Sequence, residues 1–291
     1  IAEPTAGPRL RDISIRHHQL VTDGFLNEVE SLVSVGRFGL GRHLGRLAKA
    51  AQLHTAVQPT AQPADPFGTA TQVLGALPAA HGSCEPSWLT RWRHADEQVG
   101  RLLADHMTNW QGQPTGAHIA SAVLQAAARE HCSVFVAASR SVRDVDLVAA
   151  AEGPQVFANL GVNGIDGIVS TARGLATGQP VFALLGDLAF VHDHNGLLGL
   201  ASSTDDLTLV VADDNGGAIF SDLEQAQPHL NPWFERLFGT PHNADLVAMV
   251  AALGIAVIPV HSTEELAAAL TRPRGVRVVV VHAASREESR G

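Results

Sequence analysis

A chain of 291 residues that is 45 % apolar can bury one large core or two smaller ones, which excludes a disordered polypeptide. Its formal net charge of −9, with no basic block, argues against nucleic-acid binding. No apolar run approaches the ~20 residues of a membrane span, so no stable membrane anchor is expected; Cys84 and Cys132, far apart and without metal or redox spacing, read as reduced thiols of a cytoplasmic protein.

The opening Ile1-Ala2-Glu3-Pro4 carries neither an initiator methionine nor a signal-peptide pattern, so the chain is expected to begin inside a longer protein. Residues 1–13 read as a linker. A strand is predicted over 30–36, an amphipathic helix over 40–52 with Leu40, Leu44 and Leu47 on one face, and a second strand over 53–57. This strand–helix–strand unit is too small to hold a full core. Residues 58–87, rich in Pro, Ala, Gly, Thr and Gln, read as a long loop, and 88–107 as a polar helix suited to bridging two domains.

From Pro114 the pattern changes. Helices are predicted over 117–129, 164–176, 193–200, 244–252 and 264–271. Strands are predicted over 133–137, 155–158, 181–185, 207–212, 255–260 and 276–281. Strands alternate with helices, and several strands are continuous apolar runs. That grammar belongs to an α/β protein with a doubly wound parallel sheet covered on both faces. The division expected is a shortened α/β middle domain at 1–113 and a ligand-binding domain at 114–291.

In such sheets ligands sit beyond the carboxyl ends of the strands. Two strand ends here are acidic: Leu185-Gly186-Asp187-Leu188 and Asp213-Asp214-Asn215-Gly216-Gly217. Asp187 and Asp214 are 27 residues apart, the length of one strand–helix–strand crossover. Side by side, the two carboxylates and the Gly216 carbonyl make a hard oxygen site of the kind Mg²⁺ prefers, with phosphate oxygens completing it. Glycines let the backbone approach a diphosphate closely, and a helix start after Asp187 points amides toward it. Either motif alone reads more simply as a strand-end turn; the pairing at crossover spacing favours the Mg²⁺–diphosphate reading. His192 and His194, at i and i+2, do not share a helix face and are not expected to ligate a metal together. His17 and His18 read as surface residues, and His242 as a loop or helix-start residue.

The pairing resembles the signature of thiamine-diphosphate enzymes, Gly-Asp-Gly followed by Asn-Asn, with Leu188 at the third glycine and Asp214 at the second asparagine. Further segments are similar to the MenD family, the carboligases of menaquinone synthesis. They are Asn159–Gly167, Ser170-Thr171-Ala172, Phe190–Asp193, Asp214–Phe220, Phe238–His242, and Ser139 with Val142-Arg143-Asp144. The resemblance covers residues 114–245 strongly and 14–110 weakly.

It implies thiamine diphosphate and Mg²⁺ as cofactors, and 2-oxoglutarate and isochorismate as substrates. The product would be 2-succinyl-5-enolpyruvyl-6-hydroxy-3-cyclohexene-1-carboxylate with release of CO₂, made by a homodimer or homotetramer. It implies that Asp187, Asp214 and the Gly216 carbonyl hold Mg²⁺ and that Gly186, Leu188 and Gly217 shape the cofactor cradle. Ile165 would wedge beneath the cofactor, or be a plain core isoleucine. Ile219 and Phe220 would flank the thiazolium, or be an apolar plug. Ser139 and Arg143 would meet substrate carboxylates; Arg143 could instead pair with Asp144 or Asp146. The family's N-terminal pyrimidine-binding domain, with its activating glutamate, has no counterpart here, so this chain is not expected to turn over alone.

Two positions depart from the family pattern: Ala138 stands where asparagine is usual, and Leu160 where arginine is usual. Arg140 is the candidate replacement cation. The departures keep two alternatives open: a different thiamine-diphosphate 2-oxo acid decarboxylase or synthase, or a non-catalytic cofactor-binding subunit.

Overall fold

The computed structural model describes residues 1–58, 65–77, 79, 85–148 and 153–285. Cys84 lies outside them. Two compact units are present: one of residues 1–3 and 13–108, the other of 4–12 and 109–291. The expected linker at 1–13 is instead ordered. It contains a 3-10 turn, Pro4–Ala6, and helix α1, Pro8–Asp12. The buried Arg11 guanidinium donates to the Pro154 carbonyl of the larger unit. Its proline–glycine pattern marks helix starts and a turn, not a flexible tether.

The smaller unit runs through α2 (His18–Val21), β1 (Ser31–Val35), α3 (Arg42–Ala50), β2 (Leu53–Val57), β3 (Gln72–Leu74) and α4 (Pro86–Asn109). Its sheet is parallel, in the order β1-β2-β3. The loop reading of 58–87 is thus corrected in part, because Gln72–Leu74 pairs with β2. Leu44, Leu47 and Ala48 of α3 are buried, as the apolar stripe requires. On α4 only Trp92 is fully buried; it joins Ile15, Val21 and Phe25, and the Phe25 and Trp92 rings stack at 4.3 Å. His17 and His18 are not surface residues. His18 is 1 % exposed and its Nδ1 lies 2.7 Å from His43 Nε2; the His17 backbone and ring both bond Asp96.

The larger unit holds the site. Its six strands are β4 (Ser133–Val136), β5 (Val156–Ala158), β6 (Val181–Gly186), β7 (Leu207–Asp213), β8 (Ala256–Val260) and β9 (Val276–His282). They form one fully parallel sheet in the order β5-β4-β6-β7-β9-β8. Helix α5 (Gly116–Glu130) precedes them, and the crossovers carry α6 (Arg140–Leu147), α7 (Ile168–Ala176), α8 (Asp187–His192), the short α9 (Asn231–Phe234), α10 (Leu246–Ala252) and α11 (Thr263–Ala269). This is the expected α/β fold with a parallel sheet.

Alternation along the strands sends side chains to two faces. Phe135, Ala183, Leu185, Leu209, Val211, Val278 and Val280 pack with Ile168, Val169 and Ala172 of α7 and Leu246 and Val250 of α10. Their neighbours Val134, Val136, Phe182, Leu184, Val210 and Val279 are at most 2 % exposed, so the other face is covered as well. Helix α5 packs on β4 and β6 there. That double burial is why these strands are apolar without a break.

Three local readings need correction. The helix predicted from 164 begins at Ile168, because Gly167 takes a left-handed conformation (φ 68°) as its N-cap, leaving Ile165 in a loop. The helix predicted over 193–200 begins earlier, at Asp187, and is followed by a 3-10 turn at His194–Leu197. Asp193 is unavailable to continue it: its carboxylate accepts the Gly167 and Val169 amides at 2.8 and 2.7 Å. Helix α6 was not anticipated at all. It starts at Arg140 after a connection of only three residues, Ala137-Ala138-Ser139.

Candidate active site

At the carboxyl ends of the central strands of the larger unit lies a cavity of about 400 Å³. It is built from the segments that follow β4, β5, β6, β7 and β9. Between β4 and β6 the crossovers diverge to opposite edges of the sheet, which is where open α/β sheets bind ligands. The residues expected to hold the metal, cofactor or substrate all line this cavity: Ser139, Arg143, Ile165, Gly186, Asp187, Leu188, Asp214, Gly216, Gly217, Ile219 and Phe220; Leu160 is not among the lining residues.

The two acidic tips are neighbours because β6 and β7 pair in register, Gly186 opposite Ala212. Asp187 is 2 % exposed, and its Oδ2 accepts the Gly216 amide at 2.8 Å. Asp213, one residue before the one chosen from the sequence, also approaches it. Ligand atoms of Asp187, Asp213 and His242 lie within 4.8 Å of one another. Asp214 lines the cavity beside Asp187. Burial, and next the nearby Asp213 charge, push the Asp187 carboxyl up to about 6, against the opposing pull of the Gly216 and Leu188 amides and of His242. Asp213 and His242 were missed as site members. Asp213 was legible as part of the same acidic tip. His242 was not, since it arrives from 55 residues downstream.

The turn after β7 depends on its glycines. Gly216 sits at φ 149°, which a side chain resists. A Cβ on Gly217 would lie 2.4 Å from the Phe238 carbonyl oxygen. By contrast, a Cβ on Gly186, which lines the cavity, would meet no protein atom within 4 Å.

On the opposite wall Ser139 holds φ 83° and ψ −134°, a conformation that costs on the order of 1–3 kcal/mol for a non-glycine residue. It sits at the N-terminus of α6, where Arg143 donates to its carbonyl. Arg143 therefore faces the cavity with its guanidinium tied to the loop. The partner of Asp144 is Arg140, at 2.9 Å, and Arg140 also bonds Asp222. Burial drives the Asp144 carboxyl up, opposed by Arg140. Arg140 lines the cavity, but its charge is balanced by two carboxylates, which weakens its expected role as a replacement cation. His192 and His194 are both exposed.

A parallel sheet with a carboxylate-tipped cavity at its switch point is the architecture of thiamine-diphosphate enzymes. Residues 145–283 match the family model described as thiamine pyrophosphate enzyme, C-terminal TPP binding domain. Relatives extend the match along the chain. A 2-succinyl-5-enolpyruvyl-6-hydroxy-3-cyclohexene-1-carboxylate synthase of Kineococcus radiotolerans is 37 % identical over 296 residues, covering 96 % of this chain and 52 % of that protein. The synthase of Saccharopolyspora erythraea is 43 % identical over 233 residues (78 % and 41 %), and that of a Nocardioides species is 35 % identical over 317 residues (100 % and 57 %). The chain belongs to the MenD family of these synthases, and spans about half the length of the curated relatives it matches.

Proposed function

We propose that the cavity holds thiamine diphosphate through Mg²⁺, and that the protein carrying this chain joins a succinyl-semialdehyde unit from 2-oxoglutarate to isochorismate with loss of CO₂. The observation that carries this reading is the meeting of two acidic strand tips at the cavity, with Asp187 anchored on the Gly216 amide. The donor set fits the cation: hard oxygens of Asp187, Asp214 and the Gly216 carbonyl. The open space at Gly186 fits a diphosphate lying against the backbone.

When bound, thiamine diphosphate supplies the electron sink for decarboxylation and carbon–carbon bond formation. The chain's own residues bind and orient. Asp187, Asp214 and the Gly216 carbonyl hold the cation. Ile165, Ile219 and Phe220 give the cofactor an apolar wall and keep water from its reactive side. Ser139, fixed by its strained backbone, and Arg143, fixed on the Ser139 carbonyl, receive substrate carboxylates. A homodimer or homotetramer in the cytoplasm is the assembly proposed. No helix among the described residues is long and apolar enough to cross a membrane.

Two measurements test the proposal. The protein supplied with isochorismate, 2-oxoglutarate, thiamine diphosphate and Mg²⁺ should release CO₂; release from other 2-oxo acids in its place would reassign the substrate. In calorimetry, Asp187→Ala should abolish Mg²⁺-dependent thiamine diphosphate binding with the fold retained. Unchanged affinity would reject the site.

A further inference from the structure

Between α9 and α10 the chain runs through Gly239-Thr240-Pro241-His242-Asn243, and this loop is stitched to the turn after β7. Gly217 N–H donates to the Gly239 carbonyl at 2.8 Å. Asn215 and Asn243 exchange amide hydrogen bonds, side chain to side chain and backbone to side chain, both at 2.9 Å. The His242 ring, held on this loop, is 10 % exposed.

Its tautomer follows from its neighbours. The Ala244 backbone amide donates to Nδ1 at 3.0 Å and so occupies the lone pair of that nitrogen. The neutral ring then carries its proton on Nε2. Nε2 lies 3.3 Å from Asp187 Oδ2 and 3.8 Å from Asp213 Oδ1. A protonated Nε2 has no lone pair to give a metal, so His242 does not join the two carboxylates as a ligand. It donates to one of them and stands close to the other.

We propose that His242 is a positioning residue for the metal-binding carboxylate: its Nε2–H fixes Asp187 Oδ2 together with the Gly216 amide and offsets the repulsion between Asp187 and Asp213. This rests on the reading of Asp187 as a Mg²⁺ ligand. Partners that orient a ligand set its geometry, and losing one costs about 10–100-fold in metal affinity.

The test titrates Mn²⁺ into the chain saturated with thiamine diphosphate and follows water-proton relaxation. His242→Leu should weaken Mn²⁺ binding about 10–100-fold. His242→Gln, which restores a donor at the reach of Nε2, should recover most of the loss. Circular dichroism of the metal-free variants separates misfolding from lost positioning. If His242→Leu binds Mn²⁺ like the parent while Asp187→Asn does not, the inference fails and the metal reading stands. If Leu and Gln weaken binding equally, His242 acts by shape alone and the inference again fails. If Asp187→Asn itself binds normally, the metal reading falls.

Discussion

Asp187 is a buried carboxylate kept at the mouth of a cavity, and its energetics point to a ligand rather than to stability. Its folded pKa of about 6 lies above the ordinary aspartate value of 3.8, so between those limits the folded chain binds more protons than the unfolded chain. The sign follows: below pH ~4 both states are protonated and the residue costs nothing; as pH rises through ~6 the folded chain must ionise a desolvated group, and stability falls by about 3 kcal/mol in total. Asp187→Asn in the metal-free chain should remove that loss and stabilise the fold above pH 6. Urea unfolding at pH 5 and pH 7.5 checks this: the variant should gain more at the higher pH, and an equal or opposite change would show that the carboxylate is not desolvated. The same residue was legible in the sequence because an acidic residue closing an apolar strand is chemically out of place. Its neighbour Asp213 was legible only as a member of the acidic tip, since a run of acidic residues does not say which one faces inward, and its hydrogen-bond partner His242 was not legible, because it lies 55 residues downstream.

At the level of elements, the loop bearing Ile165 is held from a distance. Asp193, just past α8, accepts the Gly167 and Val169 amides that begin α7. It thus caps a helix that lies earlier in the chain and fixes the segment containing Asn163 and Ile165, both of which line the cavity. Asp193→Ala should cost about 1–2 kcal/mol, as lost N-caps do. Amide exchange would report faster opening at Gly167 and Val169, and the cofactor should bind more weakly as Ile165 loses its place. Unaltered exchange at those two amides would refute the capping role. No local pattern signals this contact. The periodicity of 164–176 suggested a longer helix, and only the left-handed Gly167 together with the distant carboxylate sets the true start at Ile168. Helix α6 escaped detection for a related reason: its eight residues follow β4 after a three-residue turn that ends in a strained Ser139.

On the scale of the molecule, all cavity residues come from the larger unit: Gly116 from the start of α5, the rest from the ends of five strands and the segments that follow them. Thiamine diphosphate with Mg²⁺ should therefore protect the strand tips of that unit from hydrogen exchange. At a ligand concentration 100 times Kd the gain should approach about 2.7 kcal/mol for amides that exchange only by global opening of the unit. Protection confined to β1–β3, with none at Gly186–Leu188 or Gly216–Gly217, would place the ligand elsewhere.

By itself the sequence determined the parallel α/β sheet of the larger unit, because strands buried on both faces must be apolar throughout and helices between them must alternate. It determined also that residues 187 and 214–217 each close an apolar strand one crossover apart, whereas the pairing of those two strands is a fact of the sheet order. Only the tertiary structure decided that Asp213 approaches Asp187, that His242 donates to it, and that Arg140 is bound by Asp144 and Asp222. Strand identity is written in local burial. Which side chains converge at the strand tips depends on register, loop stitching and charge balance among segments distant in the chain, and none of these has a local signature.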